Sequence, residues 1–427
     1  MSQNPFVIGK PVPPEHFVGR TFEIAAAFSH ISQRGHLALW GGPGMGRSSF
    51  LEFLASPEVW EQHGEDPSQT VIVLVNCENI NPFTPSGFWR EVLTVLKDNL
   101  ESLPALQTEI DKFLATEQTT KDTLSQVLQK LGRQKKFLLL LVDDFDAALR
   151  KNEQYTEANM QQFLSEIRSL AVHSAAGKHL SMVVTSLNRL NELGPQLNSK
   201  ASPWYNHYLY QSLKPLTDKE VDQLLQPLAI HKKPELREAI REIAGGHPRL
   251  LQKAGFLLHE IERQTSNKPD IQAFIKEFES RNKQLFQFIW TRCSEVEQGL
   301  LMLIALSGLK GRLHKNKTFD LSDIDLIFSI RERELTNLEE QGVIIRTIEE
   351  GKPIIYSFTS EMMEQWVIQE IWLTKDASIK EREKVFAKLV STKQLHQINW
   401  FWNHRNNLLD GVEFFGKLVA AFKKGFF

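Results

Sequence analysis

Residues 36–48 read His36-Leu37-Ala38-Leu39-Trp40-Gly41-Gly42-Pro43-Gly44-Met45-Gly46-Arg47-Ser48. A short apolar run breaks into glycines, and a helical stretch follows over about residues 48–56. The pattern G-x-x-x-x-G-K-[ST] of a phosphate-binding loop is met at every fixed position except the lysine, which is Arg47. The glycines have a physical reason. Backbone N–H groups must converge on a phosphate, and only glycine allows that curvature and close approach. The helix that follows turns its positive N-terminal end to the same place. Gly41, Gly42, Pro43, Gly44, Met45, Gly46, Arg47, Ser48 and Ser49 are therefore the candidate phosphate cradle, with Ser48 as a ligand of Mg²⁺. Arg47 keeps the positive charge of the usual lysine but spreads it over a planar fork. Nucleotide binding should survive that change better than hydrolysis, which depends on closer positioning.

Working outward, strands and helices alternate. Thr70–Asn76 (TVIVLVN), Lys136–Asp143 (KFLLLLVD) and Ser181–Ser186 (SMVVTS) are apolar runs of the kind a strand buried on both faces shows, and Tyr208–Leu213 is a further candidate. Helical segments near 85–100, 120–132 and 157–173 separate them, which predicts a parallel α/β sheet. The third run delivers Asp143 and Asp144 at its C-terminal end, where ligands bind in open α/β sheets. Asp143 would hold Mg²⁺ through water, and Asp144 would polarise an attacking water. Asp146 reads as a turn residue.

Composition sets the outer limits. The chain has 427 residues, which at about 150 residues per domain predicts two to four domains. Hydrophobic residues make up 41% and charged residues 24%, the profile of a folded chain and not of a disordered one. Fifty basic residues against 52 acidic give a net charge of −2, so a globally basic nucleic-acid coat is not indicated. Cys77 and Cys293 offer neither metal spacing nor a disulfide framework. No apolar signal-type region opens the chain and no run of about 18 apolar residues occurs, so a cytoplasmic location is expected.

From Thr217 the strand signal stops. Residues 217–290 read as consecutive helices, broken at Pro234 and at Gly245-Gly246-His247-Pro248. Then come a helix over Ser294–Ser307, shorter ones near 320–327 and 331–341, and two strands, Val343–Ile348 and Ile354–Phe358. Three helices and a hairpin predict a winged helix-turn-helix. The remainder is helical and mildly basic, with ten Lys/Arg against five Asp/Glu over 375–427. The expected division is 1–216, an α/β P-loop NTPase domain with a parallel sheet; 217–290, an all-helical lid; 291–374, the winged helix; and 375–427, a helical C-terminal tail.

Several of these residues together resemble the STAND branch of AAA-type P-loop ATPases, especially its prokaryotic members. Phe17-Val18-Gly19-Arg20 resembles the family's F-V-G-R box, and the P-loop and Asp143-Asp144 follow in order. Ser212–Glu220 looks like the link into the helical domain, and Gly245–Pro248 resembles the G-x-P motif. The resemblance covers roughly residues 5–372. It implies ATP/ADP as the nucleotide, Val18 and Arg20 on the adenine side, Pro248 packed on the base, and Arg249 as a second sensor near the phosphates. Asn188, after Thr185-Ser186-Leu187, would be the polar sensor of broader AAA relatives. Asp144, Arg47 and Asn188 are thus the candidate catalytic residues. The family's Met-His-Asp motif is replaced by Tyr356-Ser357-Phe358, so a histidine lock on ADP is not expected.

The candidate recognition helix, Arg331–Glu340, carries four Glu and two Arg, which favours protein docking over DNA reading. The cluster Lys310-Gly311-Arg312-Leu313-His314-Lys315-Asn316-Lys317 keeps phosphate-backbone contact open. Residues 411–427 (GVEFFGKLVAAFKKGFF) place Val412, Phe415, Leu418, Val419, Phe422 and Phe426 near one helical face, with Lys417, Lys423 and Lys424 off it. That segment would cover the winged helix, or touch a membrane surface or a partner. The expected function is an ATP/ADP-binding switch, with weak or absent hydrolysis and self-association or a protein partner as its output. A DNA-associated AAA-type loader is the alternative.

Overall fold

A computed structural model describes residues 4–116, 119–195, 202–228, 234–264, 271–309, 321, 324–351, 354–373, 384–386, 389–390 and 392–409. The chain divides into two units. One comprises residues 9–41 and 46–213, the other residues 1–8, 42–45 and 214–427.

In the first unit the elements run α1 (Thr21–Ser32), β1 (His36–Trp40), α2 (Arg47–Ala55), α3 (Pro57–Gln62), β2 (Thr70–Asn76), α4 (Pro85–Asp98), α5 (Pro104–Leu114), α6 (Lys121–Arg133), β3 (Phe137–Asp143), α7 (Glu157–Arg168), β4 (Leu180–Ser186) and β5 (Tyr208–Ser212). The five strands form one sheet in the order β2-β3-β4-β1-β5, every pair parallel. β3 and β4 lie inside the sheet and every residue of both is buried, which is why they read as unbroken apolar runs. Alternate residues Leu138, Leu140 and Val142 enter a core with Val92 and Leu96 of α4, Leu124 and Leu128 of α6, and Phe163 and Ile167 of α7. Each such side chain contributes roughly 1.5–3 kcal/mol on burial.

Two helices went unread in the sequence, α3 and α5. Both begin with proline at the first helical position, where its missing N–H costs nothing. The single helix expected over 157–173 ends at Arg168 and continues as a π-turn over Ser169–His173, whose Leu170 and Ala171 carbonyls pack against Gly177.

The second unit contains α8 (Asp218–Leu224), α9 (Pro234–Ala244), α10 (Pro248–Gln264), α11 (Ile271–Arg292), α12 (Glu295–Gly308), α13 (Ile324–Ile330), α14 (Glu332–Glu340), β6 (Ile344–Thr347), β7 (Ile355–Phe358), α15 (Glu361–Leu373) and α16 (Thr392–Leu409). Capping boxes start α8 (Thr217 with Glu220) and α12 (Ser294 with Glu297), each worth about 1 kcal/mol. α12 is buried without interruption from Gly299 to Leu306. β6 and β7 pair antiparallel, Ile344 opposite Phe358 and Thr347 opposite Ile355. The basic cluster 310–317, except for its sequence, and the segment 411–427 lie outside the described residues. Among the described residues no helix is long and apolar enough to cross a membrane.

Candidate nucleotide site

Parallel register assembles the polar centre of the first unit. Asn76 at the end of β2 stands opposite Asp143 at the end of β3, and Thr185 lies near the end of β4. A buried carboxylate costs several kcal/mol unless it is hydrogen-bonded. Asp143, 6% exposed, accepts from the Thr185 hydroxyl (2.5 Å) and from the Asp144 backbone N–H (3.1 Å), both at Oδ1. Asp144 takes a left-handed conformation, φ 48°, which a short polar side chain tolerates. Its Oδ2 accepts from the Asn76 amide (3.0 Å) and its Oδ1 pairs with Arg47 (3.2 Å). Burial, then the Asp143 charge, push the Asp144 carboxyl above the usual carboxylate range, partly offset by Arg47 and Asn76.

Arg47 opens α2 directly after Gly46, whose φ of 91° suits glycine. Its guanidinium donates to the Gly41 carbonyl (3.1 Å) as well as pairing with Asp144. Its Nε–H is buried and has no acceptor. The Ser48 hydroxyl has no hydrogen-bond partner among the described residues. Ser49 is engaged structurally, accepting the Val12 N–H at 2.9 Å. A Cβ on Gly46 would meet nothing within 4 Å, so open space lies beside the loop.

Phe17 packs on Phe53 (ring centroids 4.7 Å) and Phe50 (6.2 Å) of α2, tying the segment before α1 to the helix after the loop. Val18 is half-buried; Arg20 is buried, adopts φ 60° and pairs with Glu23 at 3.4 Å. Ser186 Oγ donates to the Asn188 carbonyl (2.7 Å). Asp146, read as a turn residue, is buried and accepts the Leu187 N–H with both carboxylate oxygens (3.2 and 2.9 Å).

The loop crest, Gly42–Met45, belongs to the second unit and is held there. His247, 4% exposed, accepts the Leu250 N–H at Nδ1 (3.4 Å), so Nε2 carries the proton and donates to the Pro43 carbonyl (3.1 Å). Burial keeps this imidazole neutral, with a pKa lowered to about 4. The Arg249 N–H donates to the Gly44 carbonyl (3.3 Å), and Pro248 is the first residue of α10. A Cβ on Gly42 would overlap the Gln341 carbonyl oxygen, so this glycine serves packing; the loop pattern does not demand it there.

Arg47, Asp143 and Asp144 are thus brought together in one unit, and in the other His247 and Arg249 reach the loop crest, while Pro248 serves as the first residue of α10. Sequence reading missed the roles of Asn76 and His247. Asn76 left a signal, a polar residue closing an apolar strand at the ligand end of the sheet.

A family model described as "AAA domain" matches residues 30–193, less than half of the chain. No curated protein matches the sequence. The fold is similar to that of a Walker-type ATPase of Pyrococcus abyssi (TM-score 0.56, 15% identity, 85% of this chain and 99% of that one). It is also similar to the ORC2 protein of Aeropyrum pernix in its ADPNP–ADP complexes (TM-score 0.50, 14% identity, 87% and 98%). At these identities the likeness is one of fold. The first unit is therefore a parallel-sheet α/β core of P-loop NTPase fold, similar over residues 30–193 to the AAA domain.

Proposed function

We propose that the chain binds an adenine nucleotide with Mg²⁺ at Gly41–Ser49 and uses it as a conformational switch of STAND type, with slow or absent hydrolysis. The observation that carries this reading is Arg47. A buried cationic N–H without an acceptor, beside a glycine loop and open space, fits a phosphate oxygen. The free Ser48 hydroxyl and the second oxygen of Asp143 suit a hard cation, so these two residues would hold Mg²⁺. The metal, when bound, neutralises phosphate charge. Arg47 would exchange its contacts for phosphate, and Asp144 would orient a water only after leaving Arg47. A carboxylate engaged in that pair is a poor base, which supports binding without rapid turnover. Val18 and Arg20 would line the adenine side, Pro248 would pack on the base, and Arg249 and Asn188 would sense the phosphates. Residues 217–290 would act as the lid and 291–374 as a winged helix, whose state is the output. The ADPNP and ADP bound by the ORC2 protein of similar fold support the choice of nucleotide.

Calorimetric titration tests this. Wild type should bind ATP and ADP, Arg47→Met should lose at least tenfold in affinity, and Ser48→Ala should lose the Mg²⁺ dependence. Hydrolysis should rise in Arg47→Lys. Absence of binding by wild type at millimolar nucleotide would sink the proposal. The basic stretch Lys310–Lys317 supports a second reading, a DNA-associated AAA-type loader. It requires salt-dependent duplex binding by the full chain, lost on Lys315→Glu with Lys317→Glu.

A further inference from the structure

The sheet of the first unit ends at β2, which pairs with β3 on one side only. A strand turns the N–H and C=O of alternate residues to opposite sides. Two contacts show which residues of β2 face outward. The Ile72 carbonyl accepts the side-chain amide of Asn99, the residue that closes α4, at 2.8 Å. The Thr70 N–H donates to the Pro67 carbonyl. Neither partner belongs to the sheet, so Thr70, Ile72 and Leu74 present their backbone to the free edge, and Val71, Val73 and Val75 bond β3. The outward backbone groups of Leu74 have no partner among the described residues. Native proteins blunt such an edge with charge or proline. The strand itself, TVIVLVN, carries neither.

A cavity of about 340 Å³ lies along this edge, a size that suits a ligand. Its walls are apolar: Pro57, Pro67, Val95 of α4, and Ile72 and Leu74 of β2 itself. The Thr70 hydroxyl also lines it. Thr70 is 9% exposed, and its Oγ is buried without a hydrogen-bond partner. All of these residues belong to the first unit. The polar groups select the occupant. A purely apolar molecule would leave the Thr70 hydroxyl and the Leu74 backbone unpaired, at a cost. An extended backbone supplies a donor and an acceptor at each residue, at the spacing of the strand. Asn99 already imitates one rung of such a neighbour, because its amide stands where a strand N–H would. Its side chain is exposed and tied to the edge by that one bond, so it can turn aside.

We propose that the free edge of β2 is a docking site for an extended peptide segment of another protein, which adds to the sheet beside Ile72–Leu74. Its backbone would bond the N–H and C=O groups of Ile72 and Leu74 and displace Asn99 from the Ile72 carbonyl. Aliphatic side chains at alternate peptide positions would pack on Pro57, Pro67 and Val95. In this mode the main-chain bonds give affinity and the cavity gives selectivity. This proposal is independent of nucleotide binding.

The probe is a fluorescein-labelled peptide of sequence KTVTVTVK, titrated into the full chain and followed by anisotropy. In the complex, amide exchange should slow about tenfold or more at Ile72 and Leu74 and stay unchanged at Val71, Val73 and Val75, which already bond β3. That pattern is read on wild type and needs no variant. Methylating the peptide nitrogens at the valines, or instead at the threonines, should weaken binding unequally, because only alternate amides face β2. Asn99→Ala should tighten binding roughly threefold by removing the competing amide. Val95→Trp should fill the cavity and abolish binding; unchanged thermal melting checks that both variants fold. No binding at millimolar peptide would overturn the proposal. So would binding that leaves exchange at Ile72 and Leu74 unchanged, or equal weakening by the two methylations. Protection of these amides that rises with protein concentration, without peptide, would assign the edge to a second copy and overturn docking of a foreign strand.

Discussion

The surroundings of Arg47 in the first unit and of His247 in the second are built on opposite principles. Around Arg47 and Asp144, side chains from four separate strands and helices converge, and their bonding capacity is left partly unused. Arg47 Nε has no acceptor and Asp144 is held above its ordinary pKa. Around His247 the contacts are close and made largely to backbone. His247 uses both nitrogens, Leu216 N–H donates to the Gly246 carbonyl (2.7 Å), and Ser360 Oγ donates to the Ile243 carbonyl (2.5 Å). The first region has spare polar capacity for a ligand. The second fixes backbone against backbone, as a structural joint does.

Glycine substitutions should separate the two most strongly. A Cβ on Gly246 would overlap the Leu216 carbonyl, which is backbone and cannot turn aside. Gly246→Ala should therefore cost about 3 kcal/mol or more, read as a lowered urea midpoint. Gly46→Ala meets no atom within 4 Å and should cost only the roughly 1–2 kcal/mol of its left-handed backbone, while abolishing nucleotide binding. Equal losses of stability would remove the distinction.

The next largest effect is on acid stability. His247 is neutral in the fold, with its pKa depressed from 6.5 to about 4. The unfolded chain binds this proton more readily, so the contribution is complete above pH 6.5 and is lost as pH falls toward 4. It amounts to about 3 kcal/mol. His36, 7% exposed and also lowered to about 4, acts in the same direction. His247→Asn should flatten the curve of stability against pH between 6.5 and 4; an unchanged slope would place the acid sensitivity elsewhere.

The smallest effect should come from Asn76→Ala. It removes one donor from Asp144, costing about 1 kcal/mol, and should raise the Asp144 pKa further. A carboxyl titration followed by NMR would show the rise. A lowered value would mean that Asn76 does not stabilise the ionised form.

Much of the α/β unit was legible because its signals are local. Each inner strand is buried on both faces and so is continuously apolar, and Gly41–Ser48 is contiguous. The helices α3 and α5 were hidden because short amphipathic segments resemble the loops that join longer elements, although proline marked both starts. Asp146 does lie in a short 3-10 turn, Phe145–Leu149, but the burial and bonding of its carboxylate were not legible. Its partner, the Leu187 N–H, lies on a neighbouring strand end and leaves no trace near Asp146 in sequence.

The sequence alone determined the phosphate loop, the order of strands and helices, the acidic pair and the arginine in place of lysine, because each is a property of neighbouring residues. Tertiary structure decided what those residues do to one another. Strand register placed Asn76 opposite Asp143, and the end of β3 turned Asp144 toward Arg47. Close backbone packing explained why position 42 is glycine. Such pairings depend on chain segments tens to hundreds of residues apart, and no local pattern of residue types encodes the distance between them.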